Sequence, residues 1–236
     1  MADSLTKAYL LHTRPYRETS MLLDVLTESK GRVSLIAKGV RGKKQSKSGL
    51  LQLFSPLAVN FMGRSDLQTL TQCEPLGHSL RLTGHYLYSG LYLNELLVRL
   101  LQRQDEHPEI FVLYELAIRR LADKQTIEPT LREFELNLLA ELGYGVNFVT
   151  DEQGQDIKEG QQYLYLSDGH FEIVEPAQTI PSTQFVVDGQ TLLAIQNRDW
   201  TAPKALTMSK QIIRIALGQL IGPKPLTSRT LFRSQR

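Results

Sequence analysis

Between residues 39 and 49 the chain reads Gly39-Val40-Arg41-Gly42-Lys43-Lys44-Gln45-Ser46-Lys47-Ser48-Gly49. Glycine and serine loosen the backbone, while Arg41, Lys43, Lys44 and Lys47 supply cations at close intervals. That combination can follow a phosphate chain by charge rather than by shape. The Walker spacing and its following Ser/Thr are missing, so a nucleotide-hydrolysing loop is not implied. Arg14, Arg17, Arg32 and Lys38 flank the loop in sequence and would extend the same cationic surface. Other reactive side chains do not converge. The five histidines (His12, His78, His85, His107, His170) lack metal-ligand spacing, and Cys73 is the single cysteine. One cysteine excludes both an intrachain disulfide and a cysteine-cluster metal site. No catalytic residue, metal or cofactor is therefore expected, and the chain reads as a non-enzyme.

The formal net charge of +2 conceals a segregation of charge. Residues 1–80 hold eleven Lys/Arg against six Asp/Glu, residues 81–200 nine against nineteen, and residues 201–236 seven basic side chains and no acid. In the last group Lys204, Lys210 and Arg214 fall in a helical pattern. Two basic ends around an acidic middle would present a polyanion such as nucleic acid with two cationic regions. The aromatics near the basic loop, Tyr9, Tyr16, Phe54 and Phe61, fall mostly at core positions by strand alternation. The expected mode is therefore backbone contact more than base readout. The competing interpretation is a soluble connector with an unevenly charged surface. A nuclease working through the middle carboxylates is a distant third, because those acids spread over helix faces.

The first eighty residues alternate as strands: 7–13, ending at an Arg14-Pro15 turn, then 20–27, 32–38, 57–61 and 67–74. Five short strands with a long connection between the third and fourth fit a closed barrel of the OB type. From residue 81 the period becomes helical. Helices are expected over 84–103, from Pro108 to 122, from an N-cap at Thr130 with Glu133 completing a capping box to a stop at Gly143, and over 188–197 and 204–220. A hairpin is expected within 163–174, turning at Asp168-Gly169. The fold class is thus α+β: an OB domain at 1–80 and a mainly helical domain at 81–236. The N-terminal residues lack a basic segment followed by an apolar run, and no stretch is long and apolar enough to span a bilayer. A cytosolic protein is expected.

On the third helix Arg132 lies beside Leu131, Phe134 and Leu138. A guanidinium at the rim of an apolar groove would suit a peptide with an acidic, aromatic end. Apolar residues at helical spacing more often form core, so this is the weaker of the two sites.

Several segments taken together resemble a known family. The opening Ala8-Tyr9-Leu10-Leu11-His12-Thr13-Arg14-Pro15-Tyr16-Arg17-Glu18-Thr19-Ser20 resembles its first strand and turn, and Gly31-Arg32-Val33 through Gly39-Val40-Arg41 its third strand and basic loop. Leu87-Tyr88-Ser89-Gly90-Leu91-Tyr92-Leu93-Asn94-Glu95-Leu96, Arg132-Glu133-Phe134-Glu135-Leu136 with Leu142-Gly143-Tyr144-Gly145, and Lys224-Pro225-Leu226-Thr227-Ser228-Arg229-Thr230-Leu231-Phe232 follow in the family's order. The chain is similar over nearly its whole length to RecO, the bacterial recombination mediators. The resemblance implies binding of single- and double-stranded DNA, annealing of complementary strands, and partnership with RecR and single-stranded DNA-binding protein, leading to RecA loading. It also implies nucleoid association, and that the acidic tail of single-stranded DNA-binding protein meets the helical domain, with Arg132 and its apolar neighbours as the preferred site. Many members carry a four-cysteine zinc site after Leu-Gly-Tyr-Gly; residues 145–161 here hold no cysteine, so no zinc is expected. The alternative function is a protein adaptor whose basic surfaces serve acidic partners without touching DNA.

Overall fold

The computed structural model describes residues 5–41, 49–166, 168–175, 179–180 and 184–231. Two compact units form, Met1–Gln125 with Pro225–Arg236, and Thr126–Lys224. The first unit begins with five strands, β1 (Thr6–Tyr16), β2 (Ser20–Thr27), β3 (Gly31–Ala37), β4 (Pro56–Met62) and β5 (Leu67–Pro75). They close a barrel in the order β1-β2-β3-β5-β4, all antiparallel except for β3 against β5. This is the OB-type barrel. Alternate residues point inward, so Ala8, Leu10, Leu23, Val25, Val33, Leu35, Leu57, Val59 and Phe61 fill the interior.

β1 runs past the Arg14-Pro15 turn expected from sequence and ends at Tyr16. The reason is its free edge. β4 pairs only with Thr6–Tyr9, and Pro15 lies beyond that stretch, opposite Met21 of β2, so its missing N–H leaves no ladder partner short. The chain reverses instead at Arg17, in the left-handed region at φ 51°. A bulge between Leu10 and His12 sets Leu11 outside the β1–β2 register.

Two helices follow the barrel in this unit, α1 (Gly84–Leu100) and α2 (Pro108–Ala122). The Leu11 carbonyl released by the bulge accepts from Asn94 Nδ2 at 2.8 Å, and Asn94 Oδ1 accepts from the Tyr114 hydroxyl at 2.7 Å. Both side chains are buried, so each polar atom removed from water finds a partner. Tyr9 alternates out of the barrel, yet it is fully buried, with its ring centroid 5.2 Å from Tyr114 and 5.6 Å from Phe111. Part of the barrel's outer face is therefore core. α1 stops three residues before the expected end, where Leu101 turns extended.

The second unit holds α3 (Ile127–Glu141), β6 (Gln162–Tyr165), β7 (Phe171–Ile173), β8 (Val186–Asp188), α4 (Gly189–Gln196) and α5 (Ala205–Ile221). The expected hairpin is β6–β7, and β8 adds a third strand on the other side of β6. α3 starts a turn earlier than the capping-box pattern suggests. Pro129 is accommodated in the first turn, where its N–H would have no intrahelical acceptor. Thr130 then sits inside the helix with its hydroxyl on Thr126 O at 2.8 Å, and Glu133 accepts from Trp200 Nε1 at 3.0 Å. A short α6 (Ser228–Leu231), beyond the Pro-Lys-Pro segment, returns the chain to the first unit. No described helix is long and apolar enough to cross a membrane.

Candidate nucleic-acid interface

The β1–β2 turn and the exit of β3 lie at the same end of the barrel, because Met21 pairs with both Pro15 and Ala37. Four of the expected cations gather there with exposed side chains: Arg14 near the end of β1, Arg17 in the turn, and Lys38 and Arg41 after β3. Arg41 is fixed to the turn twice, by its N–H on Thr19 O at 3.0 Å and by its guanidinium on Arg17 O at 3.3 Å. The Arg17 guanidinium lies 5.2 Å from the centroid of the half-exposed Tyr16 ring, a cation–π contact. Glu18 is the exposed acid of this turn. Lys43, Lys44 and Lys47 lie outside the described residues.

Arg32 does not join this surface. Its guanidinium donates to Val98 O at 2.6 Å and Leu101 O at 2.8 Å, and it pairs with Asp24 at 3.2 Å, leaving the side chain 11% exposed. The C-terminal carbonyls of α1 are unsatisfied acceptors at the negative end of a helix dipole, and Arg32 is the cation that meets them. A DNA contact at Arg32, expected from sequence, would require these hydrogen bonds to be given up.

In the second unit Lys204, Lys210 and Arg214 are exposed. Lys210 and Arg214 are one turn apart and exposed on α5, which buries Ile212, Ile213, Ala216 and Leu217. Lys204 caps that helix in a left-handed conformation, and its ammonium stands 3.8 Å from Asp188. Asp188 also accepts from the Thr191 N–H and hydroxyl at the start of α4. Burial acts to raise the Asp188 pKa, but the Thr191 hydrogen bonds and Lys204 outweigh it, holding the carboxyl below its ordinary value.

Arg132 departs from the expected open rim. Its side chain is 8% exposed and pairs at 2.8 Å with Glu135, itself 1% exposed, while Leu131, Phe134 and Leu138 are buried. The spacing i, i+3 places both charged groups on the buried side of α3, where each neutralises the other. Arg132 Nε has no hydrogen-bond partner among the described residues.

Sequence reasoning missed the groove beside Lys38. It is a cavity of about 170 Å³ between the end of β3, residues 50–51 and the stretch Leu70–Cys73 of β5. No sequence signal marks it, since its walls come from three separated segments.

The N-terminal model of the recombination protein O family matches residues 1–78, and the C-terminal model of the same family matches residues 81–221. The chain belongs to the RecO family. A DNA repair protein RecO of Cellvibrio japonicus is 44% identical, covering 98% of each chain. Those of Pseudoalteromonas atlantica and Vibrio cholerae are 41% and 40% identical, covering 99% of this chain and 95% of theirs. The two RecO models divide where strands give way to helices, whereas compactness keeps α1 and α2 with the barrel.

Proposed function

We propose that this chain is a recombination mediator that binds single- and double-stranded DNA and anneals complementary strands. With RecR it would load RecA on DNA coated with single-stranded DNA-binding protein. The observation that carries this reading is the exposed cluster of Arg14, Arg17, Lys38 and Arg41 at one end of an OB-type barrel, in a chain of the RecO family. Annealing needs no covalent step: two polyanions approach when basic surfaces screen their repulsion, and bound counterions leave. The exposed Lys210 and Arg214 supply a second cationic surface for the same purpose. Engagement of a partner's acidic tail at Arg132 rests on the unpartnered Nε, and it requires the Arg132–Glu135 pair to open.

Titrating a fluorescent oligonucleotide across salt concentrations tests the DNA-binding step. Affinity should fall steeply with salt, and replacing Arg17 and Arg41 by alanine should make the log–log slope shallower by about 0.7 per side chain on a single strand. An adaptor that serves only acidic proteins would leave free oligonucleotide unbound at every salt concentration, and the reading would fail.

A further inference from the structure

The barrel closes between β3 and β5 over only three residue pairs, Ser34–Ile36 against Leu67–Thr69. From Leu70 onward β5 keeps β4 on one side, and β3 ends at Ala37. The wedge left between them is the groove described above. Val40, Leu51 and Leu70 give it apolar walls, Lys38 stands on its lining, and Thr71 and Cys73 of β5 reach it. The same short segment that lines it, residues 37–41, also carries Arg41 to the cationic turn.

Resting on the DNA-binding reading, we infer that this groove receives one unpaired nucleobase of a strand whose phosphates lie on Arg14, Arg17, Lys38 and Arg41. Size supports the assignment, because an apolar cavity of about 150 Å³ holds one six-membered aromatic ring. The groove here is about 170 Å³, enough for a pyrimidine and too small for a base pair. Charge supports it as well: Lys38 on the lining is exposed, so a ring entering the groove arrives attached to a phosphate that this cation attracts. Burial, and then the Glu74 carboxylate, push the Cys73 thiol pKa up, so this wall stays neutral at physiological pH. A base paired inside a duplex would have to leave its stack to enter. The groove therefore selects single strands, while the cations outside it accept either form.

Cys73 reports on the groove in the unaltered protein, being the chain's single cysteine. Maleimide labelling should slow as oligothymidylate is added, with the same concentration dependence as binding measured by anisotropy. A duplex, and an abasic strand of equal length, should bind without slowing it. Filling the groove from its exposed side with Thr71→Trp should weaken oligothymidylate binding about fivefold or more and leave duplex binding unchanged. Equal protection by the abasic strand would overturn the inference, as would binding with Cys73 still fully reactive; either leaves DNA binding itself standing. If no strand binds at all, the underlying reading fails too.

Discussion

Arg41 and Arg32 carry the same guanidinium and sit on the same strand–loop segment, yet one is exposed at the barrel end and the other closes the C-terminus of α1. Their fates differ because a helix end supplies fixed acceptors to Arg32, while Arg41 meets backbone carbonyl on one side and water on the other. Arg132 is a third case, a cation retained in the interior because Glu135 accompanies it. Breaking such a pair leaves an uncompensated buried charge, and the cost is about 3–5 kcal/mol. Arg132→Glu would place two carboxylates in that site. It is expected to lower the urea midpoint of unfolding markedly and to reduce partner binding and DNA annealing together. Arg132→Met with Glu135→Leu should restore most of the stability. If Arg132→Glu unfolds like the parent protein, Arg132 and Glu135 do not form a buried pair that stabilises α3.

At the scale of elements, the β2–β3 turn shows how one residue type positions a neighbouring loop. Gly31 adopts φ 58°, and a Cβ there would fall 1.7 Å from Asp105 O in the loop between α1 and α2. That loop is held against the turn by Gln104 N–H on Arg32 O at 2.8 Å. Gly39 has a similar φ of 71° with nothing within 4 Å of the same position. Gly39→Ala should therefore cost only the backbone term of about 1–2 kcal/mol, whereas Gly31→Ala adds displacement of the loop and the Arg32 contacts behind it. Chemical unfolding of the two variants side by side checks this, and equal losses would contradict it. Strand and helix spans were largely legible in sequence, since alternation and helical period are local signals. The start of α3 was not, because Thr130-x-x-Glu133 imitates a cap while Thr126-x-x-Pro129 also opens a helix. β8 escaped notice because three residues gain strand character only by pairing with β6.

For the whole molecule, the chain leaves the first compact unit at Gln125 and re-enters it at Pro225. The return is secured by Glu95 of α1, whose carboxylate accepts from the backbone N–H groups of Thr227 and Ser228 at 2.8 Å and from the Ser228 hydroxyl at 2.7 Å. Leu226 is buried beside this contact. Burial alone would raise the Glu95 pKa, but the Ser228 and Thr227 hydrogen bonds outweigh it, and the net shift is downward from 4.5. A carboxyl whose folded pKa is depressed contributes stability above its unfolded pKa and loses it as pH falls through the folded value. The attachment should therefore be complete at neutral pH and weaken only below 4.5. The Ser228 amide resonance should titrate with a midpoint under that value, and Glu95→Gln should abolish the titration. A midpoint at or above 4.5 would mean that the contact does not stabilise the ionised form.

Periodicity, turn residues and charge order determine by themselves that this chain makes an OB-type barrel followed by helices, and that its cations concentrate at the two ends. These features repeat over a few residues, so neighbours in sequence are enough to specify them. What each cation does was decided only in three dimensions. Arg32 and Arg132 were claimed by a helix terminus and a buried carboxylate, whereas Arg14, Arg17, Lys38 and Arg41 were left exposed together. The groove beside Lys38 likewise exists only because β3 stops while β5 continues. Such outcomes depend on which distant acceptors and walls the closed barrel brings alongside, and charge pattern along the chain carries no record of those distances.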